Sequence, residues 1–243
     1  MGREPPLLAA GVEAERDPGR GATWRPGPAA PTVRPVPDER SSVRLMERKP
    51  AWLKVRAPGG EVYARVKQTL RRHGLSTVCE EARCPNVAEC WASGTATVLL
   101  LGPTCTRACR FCGVASANPR GRLDENEPAR VAAAICELGL RYVVLTMVTR
   151  DDLPDGGAAH VARTVAELRR RQPGLLVETL VSDFEGRRAD VDVVLAAAPE
   201  VFAHNVEVTR RVNPRVRDPR CDHDRSLGVL RQAGESGRVR YVK

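Results

Sequence analysis

Two groups of cysteines dominate the chemistry this sequence could perform. Cys105, Cys109 and Cys112 lie within the octet CTRACRFC, and Cys79, Cys84 and Cys90 within CEEARCPNVAEC, so six of the eight cysteines fall between positions 79 and 112. Thiolates are soft ligands that suit zinc or iron-sulfur clusters, and three on one short loop can grip three corners of a compact cluster. Structural zinc wants four Cys or His ligands in paired spacings. None of His73, His160, His204 or His223 stands near the cysteines in sequence, and each triplet is one donor short of a closed tetrahedral site. The spacings therefore point to two clusters, each with one corner filled from elsewhere.

Composition narrows the setting. No basic start followed by an apolar h-region opens the chain, and no run of about 20 apolar residues occurs, so a soluble, cytoplasmic protein with no membrane partner is expected. Disulfides are disfavoured in a reducing compartment, which leaves metal or redox chemistry for the thiols. The net charge of +9 rests on arginine, with lysine only at Lys49, Lys54, Lys67 and Lys243. Such a balance permits an acidic partner without naming one. A basic zinc module contacting nucleic acid is the rival class, but zinc partners are missing and aromatics, 4% of the chain, are scarce within the basic segments.

The elements that must position these groups follow from periodicity. Residues 1–45 carry eight prolines and little regular apolar spacing, the pattern of a disordered tail. Residues 46–94 form an extension holding the first triplet, and residues 95–243 the core. EVYARVKQTLRRHG aligns Val62, Val66 and Leu70 on one helical stripe with Gly74 as C-terminal cap, whereas the segment from Leu75 to Trp91 reads as a loop. Short Val- and Leu-rich runs at 96–101, 141–148, 175–180 and 201–207 read as buried parallel strands. Between them stand amphipathic helices, one capped by Asn126 with Val131, Ile135 and Leu138 inward, another with Val161, Val165 and Leu168 inward. DRSLGVLRQAG reads as a further helix and RVRYVK as the beginning of a fifth strand. This repetition predicts an α/β fold with right-handed crossovers, a parallel sheet or barrel, that stops before it is complete.

Ligands of such folds bind at the carboxyl ends of the strands. The rule gathers the second triplet, Asp151 and Asp152, then Glu178, Ser182 and Asp183, then Asn205 and Glu207 at one end of the sheet. Singly, Asp151, Ser182 and Asp183 read more simply as loop or cap residues. Cys136, between Ile135 and Leu138, reads as a buried inert thiol. Cys221, in RDPRCDHDR, reads as a surface thiol, with a substitute cluster ligand as the remote alternative. Trp52 and Trp91 read as packing residues, and the runs LRR and LRRRQ as solvated helix faces.

The C-x3-C-x2-C motif after the first core strand, with Phe111 before its last cysteine, resembles the signature of the radical S-adenosylmethionine superfamily. The C-x4-C-x5-C triplet, with RKPAWLK, DENEP, RDDLPDGGA, ETLVSDFEGR, HNVE and RSLGVL, is similar to the lipoyl synthase family from about residue 46 to 243. The resemblance implies a partial (β/α)6 TIM-like barrel with an N-terminal cysteine-rich extension. It implies a 4Fe-4S cluster on Cys105, Cys109 and Cys112 whose open iron chelates S-adenosylmethionine, with Phe111 beside the adenine. Asp151, Asp152, Glu178 and Asn205 are the candidate contacts to that cofactor. It further implies an auxiliary 4Fe-4S cluster on Cys79, Cys84 and Cys90, consumed as the source of sulfur for C6 and C8 of an octanoyl chain. That chain would hang from a lysine of a carrier domain, in acyltransferase subunits of 2-oxoacid dehydrogenases or the glycine cleavage H protein, with ferredoxin or flavodoxin as electron donor. The family's glycine-rich strand and the R-S-S-Y serine that completes the auxiliary cluster do not occur in the sequence, so it is expected to match roughly the family's N-terminal two-thirds and to act when continued or complemented. VTRDD where many relatives read VDRDD, and a longer, more polar RDPRCDHDR, are lesser departures. An inactive remnant is the other alternative.

Overall fold

The computed structural model describes residues 57–81, 84–93 and 95–243. The expected tail and Trp52 lie outside the described residues. Helix α1 (Glu61–Arg72) leads to strand β1 (Ser76–Thr77), the short helices α2 (Val78–Glu81) and α3 (Val87–Ala92), and strand β2 (Thr95–Leu100). The segment expected as one loop is thus a strand and two short helices, of four and six residues. Neither is long enough to display a helical repeat. In α1 the buried residues are Val66, Thr69 and Leu70, while Val62 is exposed, so the stripe is shorter than its spacing suggests. Glu61 and Val62 at its start face solvent, whereas Tyr63 packs against the core. Gly74 closes the helix with φ 60°, a conformation that favours glycine.

Beyond β2 come the small parallel strands β3 (Thr104–Cys105) and β4 (Ala115–Ser116), and then an alternation of helix and strand. It runs α4 (Glu127–Leu138), β5 (Tyr142–Met147), α5 (Ala158–Arg171), β6 (Leu176–Leu180), a 3-10 turn (Phe184–Gly186), α6 (Arg188–Ala196), β7 (Val201–Ala203), α7 (Asn213–Val216), α8 (His223–Glu235) and β8 (Tyr241–Val242). Strand β7 ends at Ala203, four residues before the expected Glu207. The polar continuation His204–Glu207 has left the sheet for the site face. Helix α6 had no counterpart in the sequence reading, because its buried Val191, Val194 and Leu195 are interleaved with acidic residues. Asn126 occupies the N-cap position of α4 but makes no capping bond with its side chain. Its backbone is already helical, and Pro128 in the first turn and Gly139 at φ 62° mark the ends instead.

The main sheet has the order β1-β2-β5-β6-β7-β8, antiparallel between β1 and β2 and parallel throughout the rest. From β2 onward, spatial order equals chain order. A doubly wound sheet would reverse direction, whereas winding in one sense keeps every crossover on one side and curls the sheet into barrel wall. Helices α4, α5, α6 and α8 pack against one another in that sequence. Alternation along the strands makes two surfaces. Ala96, Val98 and Leu100 of β2, Val143 and Leu145 of β5, and Phe202 of β7 are buried in the core that contains Ile135, Val165, Leu168, Leu195 and Val229 from the helices. Thr97, Leu99, Thr146 and Leu180 face the concave side, where the site forms. No helix among the described residues is long and apolar enough to cross a membrane.

Truncating the fully buried Phe202 to alanine should cost about 3–5 kcal/mol through lost transfer energy and a residual cavity. Val62→Ala on the exposed turn of α1 should stay within about 0.5 kcal/mol of the parent. Urea denaturation of the two variants checks both values.

Candidate metal centre and cofactor cavity

The octet CTRACRFC leaves β3 and crosses the carboxyl ends of the strands, and nearly every residue between its cysteines is fastened to a different neighbour. Thr106 donates its backbone N–H to Thr149 O (2.9 Å), and its hydroxyl accepts from Asp151 N (3.0 Å). Ala108 N donates to Asp218 Oδ2 (2.8 Å), and Arg110 N to Val216 O (2.9 Å). Arg107 is buried, and its guanidinium donates through Nε and Nη2 to the two oxygens of Asp151, both at 2.9 Å. Nη2 also reaches Asp183 Oδ1 at 2.8 Å. A guanidinium fork matches a carboxylate in this way and adds geometric specificity to charge. Arg220 supplies a second layer, bonding Asp218, Asp151 and the Thr106 carbonyl. The loop that carries the thiols is therefore held by the segments following β5, β6 and β7.

These contacts fix charge states. Burial alone would raise the Asp183 pKa, but the hydrogen bond and charge of Arg107, with the Glu185 N–H and Arg225, hold it below the usual carboxylate range. Asp218 is held lower still by Arg220 and the Ala108 and Arg220 N–H groups, against burial. Both carboxylates stay ionised at neutral pH.

Below the loop lies a cavity of about 360 Å³. Cys105, Cys109, Phe111 and Cys112 form its roof. Asn205, Glu207, His204 and Arg217, from the segment after β7, contribute polar groups, with Ser182 from the segment after β6. His204 is buried, and its Nδ1–H donates to Val181 O at 2.7 Å, the only role open to the ring beside a carbonyl. Burial lowers its pKa, so the ring is neutral and Nε2 is an acceptor with no partner among the described residues. Among the described residues no three His, Cys, Asp or Glu side chains converge as on a single ion. The thiols of the octet lie along one cavity wall, where Arg107 N donates to Cys105 Sγ (3.4 Å) and Asp218 N to Cys109 Sγ (3.3 Å). Three soft donors, two of them hydrogen-bonded by backbone amides, fit an iron-sulfur cluster.

The other triplet belongs to the segment whose Val78 lines the same cavity. Cys79 is buried in α2, Cys84 N bonds to Cys79 O at 3.0 Å, and Cys90 sits in α3. Burial, together with the charges of Cys79, Cys84 and Glu89, pushes the Cys90 thiol up. Three soft donors on one short stretch of chain are the donor set that suits a cluster. Tyr63 of α1 stacks on Trp91 of α3 at 4.9 Å and fixes the helix that carries Cys90, the packing role expected of Trp91. Val78, beside Cys79, lines the cavity, and Gly113, beside Cys112, comes against the Glu81 carbonyl. The two cysteine segments thus adjoin at Gly113 and Glu81, and Val78 brings the first of them to the cavity.

The remaining candidates are distributed unevenly. Asn205 faces the cavity and Phe111, half exposed, stands at it. Asp151 is occupied by Arg107 and Arg220, and Asp152 by Arg150 and the Gly121 N–H. Glu178 lies within β6, where it accepts from Tyr142 Oη (2.5 Å) and Lys243 Nζ (3.1 Å), away from the residues lining the cavity. Cys221, expected at the surface, is buried beside the cysteine loop, 3.9 Å from Cys109 Sγ. Its neighbours Asp218 and Arg220 make the segment polar because they bind the octet. Arg107, His204 and Arg217 are site residues that sequence reasoning missed, and Cys221 is one that it set at the surface. Arg107 carried a signal in its place between two of the thiols, His204 in the motif HNVE, and Cys221 in the remote alternative of a substitute cluster ligand.

The family comparison agrees with this arrangement. The model of the radical SAM superfamily matches residues 99–242. The chain belongs to the radical SAM superfamily. Residues 37–84 match the N-terminal domain of lipoyl synthases of that superfamily, starting within the segment expected as tail. Among similar proteins, the lipoyl synthase of Sorangium cellulosum is 61% identical over 78% of this chain and 51% of its own length. That of Thermus thermophilus is 52% identical over 83% and 60%, and that of Pyrobaculum arsenaticum 56% identical over 79% and 65%. The chain thus spans between half and two thirds of the length of these relatives.

Arg107→Met should leave Asp183 buried without its main cation and cost about 3–5 kcal/mol, read by urea denaturation. Because Asp183 and Asp218 are held below their unfolded values, their contribution to stability is complete above about pH 4 and is lost as the pH falls below it. In Arg107→Met that acid loss should flatten, since protonating an unpaired buried carboxyl favours the folded chain. Denaturation midpoints between about pH 3 and pH 7 check the slope.

Proposed function

We propose that this chain carries the radical-generating and sulfur-donating centres of a lipoyl synthase, acting on octanoyl groups linked to lysines of carrier proteins. The observation that supports this reading most is that the cavity lined by Cys105, Cys109 and Cys112 is also reached by Val78, next in sequence to Cys79, from the segment of the other triplet. A carbon placed there would have the radical source beside it and the sulfur donor on the adjoining segment. Cys105, Cys109 and Cys112 would hold one 4Fe-4S cluster, and Cys79, Cys84 and Cys90 the other. Once bound, the first supplies the electron that cleaves S-adenosylmethionine to a 5'-deoxyadenosyl radical, and the second supplies the sulfur inserted at C6 and C8.

The protein's own part is positioning and exclusion. Asn205, Ser182 and Glu207 offer hydrogen bonds to an amino-acid or nucleoside group, Arg217 a cation for a carboxylate, and His204 Nε2 an acceptor for a hydroxyl or ammonium. Phe111 offers a ring face to adenine. Leu99, Leu180 and Val181 make the deeper wall apolar and keep water from a reactive carbon. Asp151 and Asp152 serve this reading by orienting arginines, Asp151 through Arg107 and Asp152 through Arg150. We place the chain in the cytoplasm, where its thiols stay reduced, with a small redox protein as electron donor and a carrier domain as partner.

Anaerobic reconstitution tests the reading. The chain, continued to the length of its relatives, should bind iron and sulfide for two 4Fe-4S clusters by Mössbauer spectroscopy and cleave S-adenosylmethionine when reduced. Cys112→Ala should abolish cleavage and about half the cluster signal. Cys90→Ala should keep cleavage and lose sulfur insertion into an octanoyl-lysine peptide. Zinc without iron, or cleavage lost equally in both variants, would overturn it.

A further inference from the structure

Around the thiols of the octet the hydrogen bonds are unequal. Cys105 Sγ accepts one backbone N–H, from Arg107. Cys109 Sγ accepts the Asp218 N–H at 3.3 Å and also faces Cys221 Sγ at 3.9 Å, within hydrogen-bonding reach for sulfur. Cys112 is exposed. Both neighbours of Cys109 belong to one turn, closed by Cys221 N donating to Asp218 O at 2.8 Å. Cys221 is held from two further directions, by Asn213 Nδ2 on its carbonyl (2.8 Å) and by Arg107 Nη1 on its sulfur (3.5 Å). A buried thiol placed so closely against one ligand sulfur is a built contact.

We propose that Cys221 is the thiol donor to the Cys109 corner of the octet's cluster, raising the cluster's reduction potential, with Arg107 as the group that holds the thiol in place. A sulfur that binds iron as thiolate has no hydrogen to give, so with Cys109 on iron a hydrogen bond between the two sulfurs can be donated only by Cys221. Hydrogen bonds to a ligand sulfur draw off negative charge and favour the reduced cluster. Arg107 thereby joins two tasks, clamping the loop through Asp151 and Asp183 and orienting the donor. Cys221 is a positioning residue in this scheme, since it touches a ligand and leaves the open iron free.

The inference rests on Cys109 holding iron. If Cys109→Ala of the reconstituted full chain kept the whole cluster signal, that premise would fail and this proposal with it. With the premise intact, the test is an EPR-monitored redox titration of the signal that responds to added S-adenosylmethionine. Cys221→Val, near in volume and without a donor, should keep its iron and move the potential to more negative values, and Cys221→Ser should restore part of the shift. An unchanged or raised potential would overturn the proposal, as would loss of the cluster from Cys221→Val with its fold intact. Should Cys221→Val not fold, the loaded Cys136→Ala chain supplies the reading. Its infrared spectrum should contain a lowered S–H stretch from Cys221, and absence of any thiol band would refute the donor.

Discussion

A buried arginine between two carboxylates is the constraint on which this site depends. Arg107 stands in the middle of the cysteine loop, and burying its charge would be untenable without Asp151 and Asp183. The carboxylates come from the segments after β5 and β6, so the loop keeps its place only while those strands stay in parallel register. Packing of Val143, Leu145 and Val177 against the helices maintains that register. Apolar order outside the sheet is in this way transmitted to polar order on the site face. The ion pairs are a specificity device, since an apolar substitute could fill the volume but could not aim three thiols.

The barrel wall was legible because its strands are apolar runs too short for helices and its helices repeat cleanly. Val131, Ile135 and Leu138, and Val161, Val165 and Leu168, are all buried as their spacing predicts. Legibility failed where elements are short or mixed. Helices α2 and α3 hold too few residues to display a period, and the apolar positions of α6 alternate with Asp190 and Asp192. The motif DENEP also misleads at its cap, because Asp124, two residues earlier, accepts from the Asn126 backbone and from Arg130.

Within the site, the thiols could be read from sequence and their surroundings could not. A cysteine triplet is a local pattern. Whether an aspartate faces a cavity or an arginine is decided by residues elsewhere in the chain. Strand-end reasoning brought Asp151 and Asp152 to the right face, but it could not foresee that Arg107 and Arg150 would claim them. Cys221 illustrates the same limit, since a stretch dense in charge reads as solvated until its charges are found directed inward at the octet.

The donors and their fastenings also differ in when they become available. The thiols of the octet emerge from the ribosome almost together, whereas Ala108 and its anchor Asp218 are 110 residues apart. During synthesis, nascent chain presents an unfastened ligand loop well before the clamp exists. Iron delivered at that stage would meet a pliable receptor, which closure of the later segment would then seal. A loop fastened first would have to reopen for its cargo.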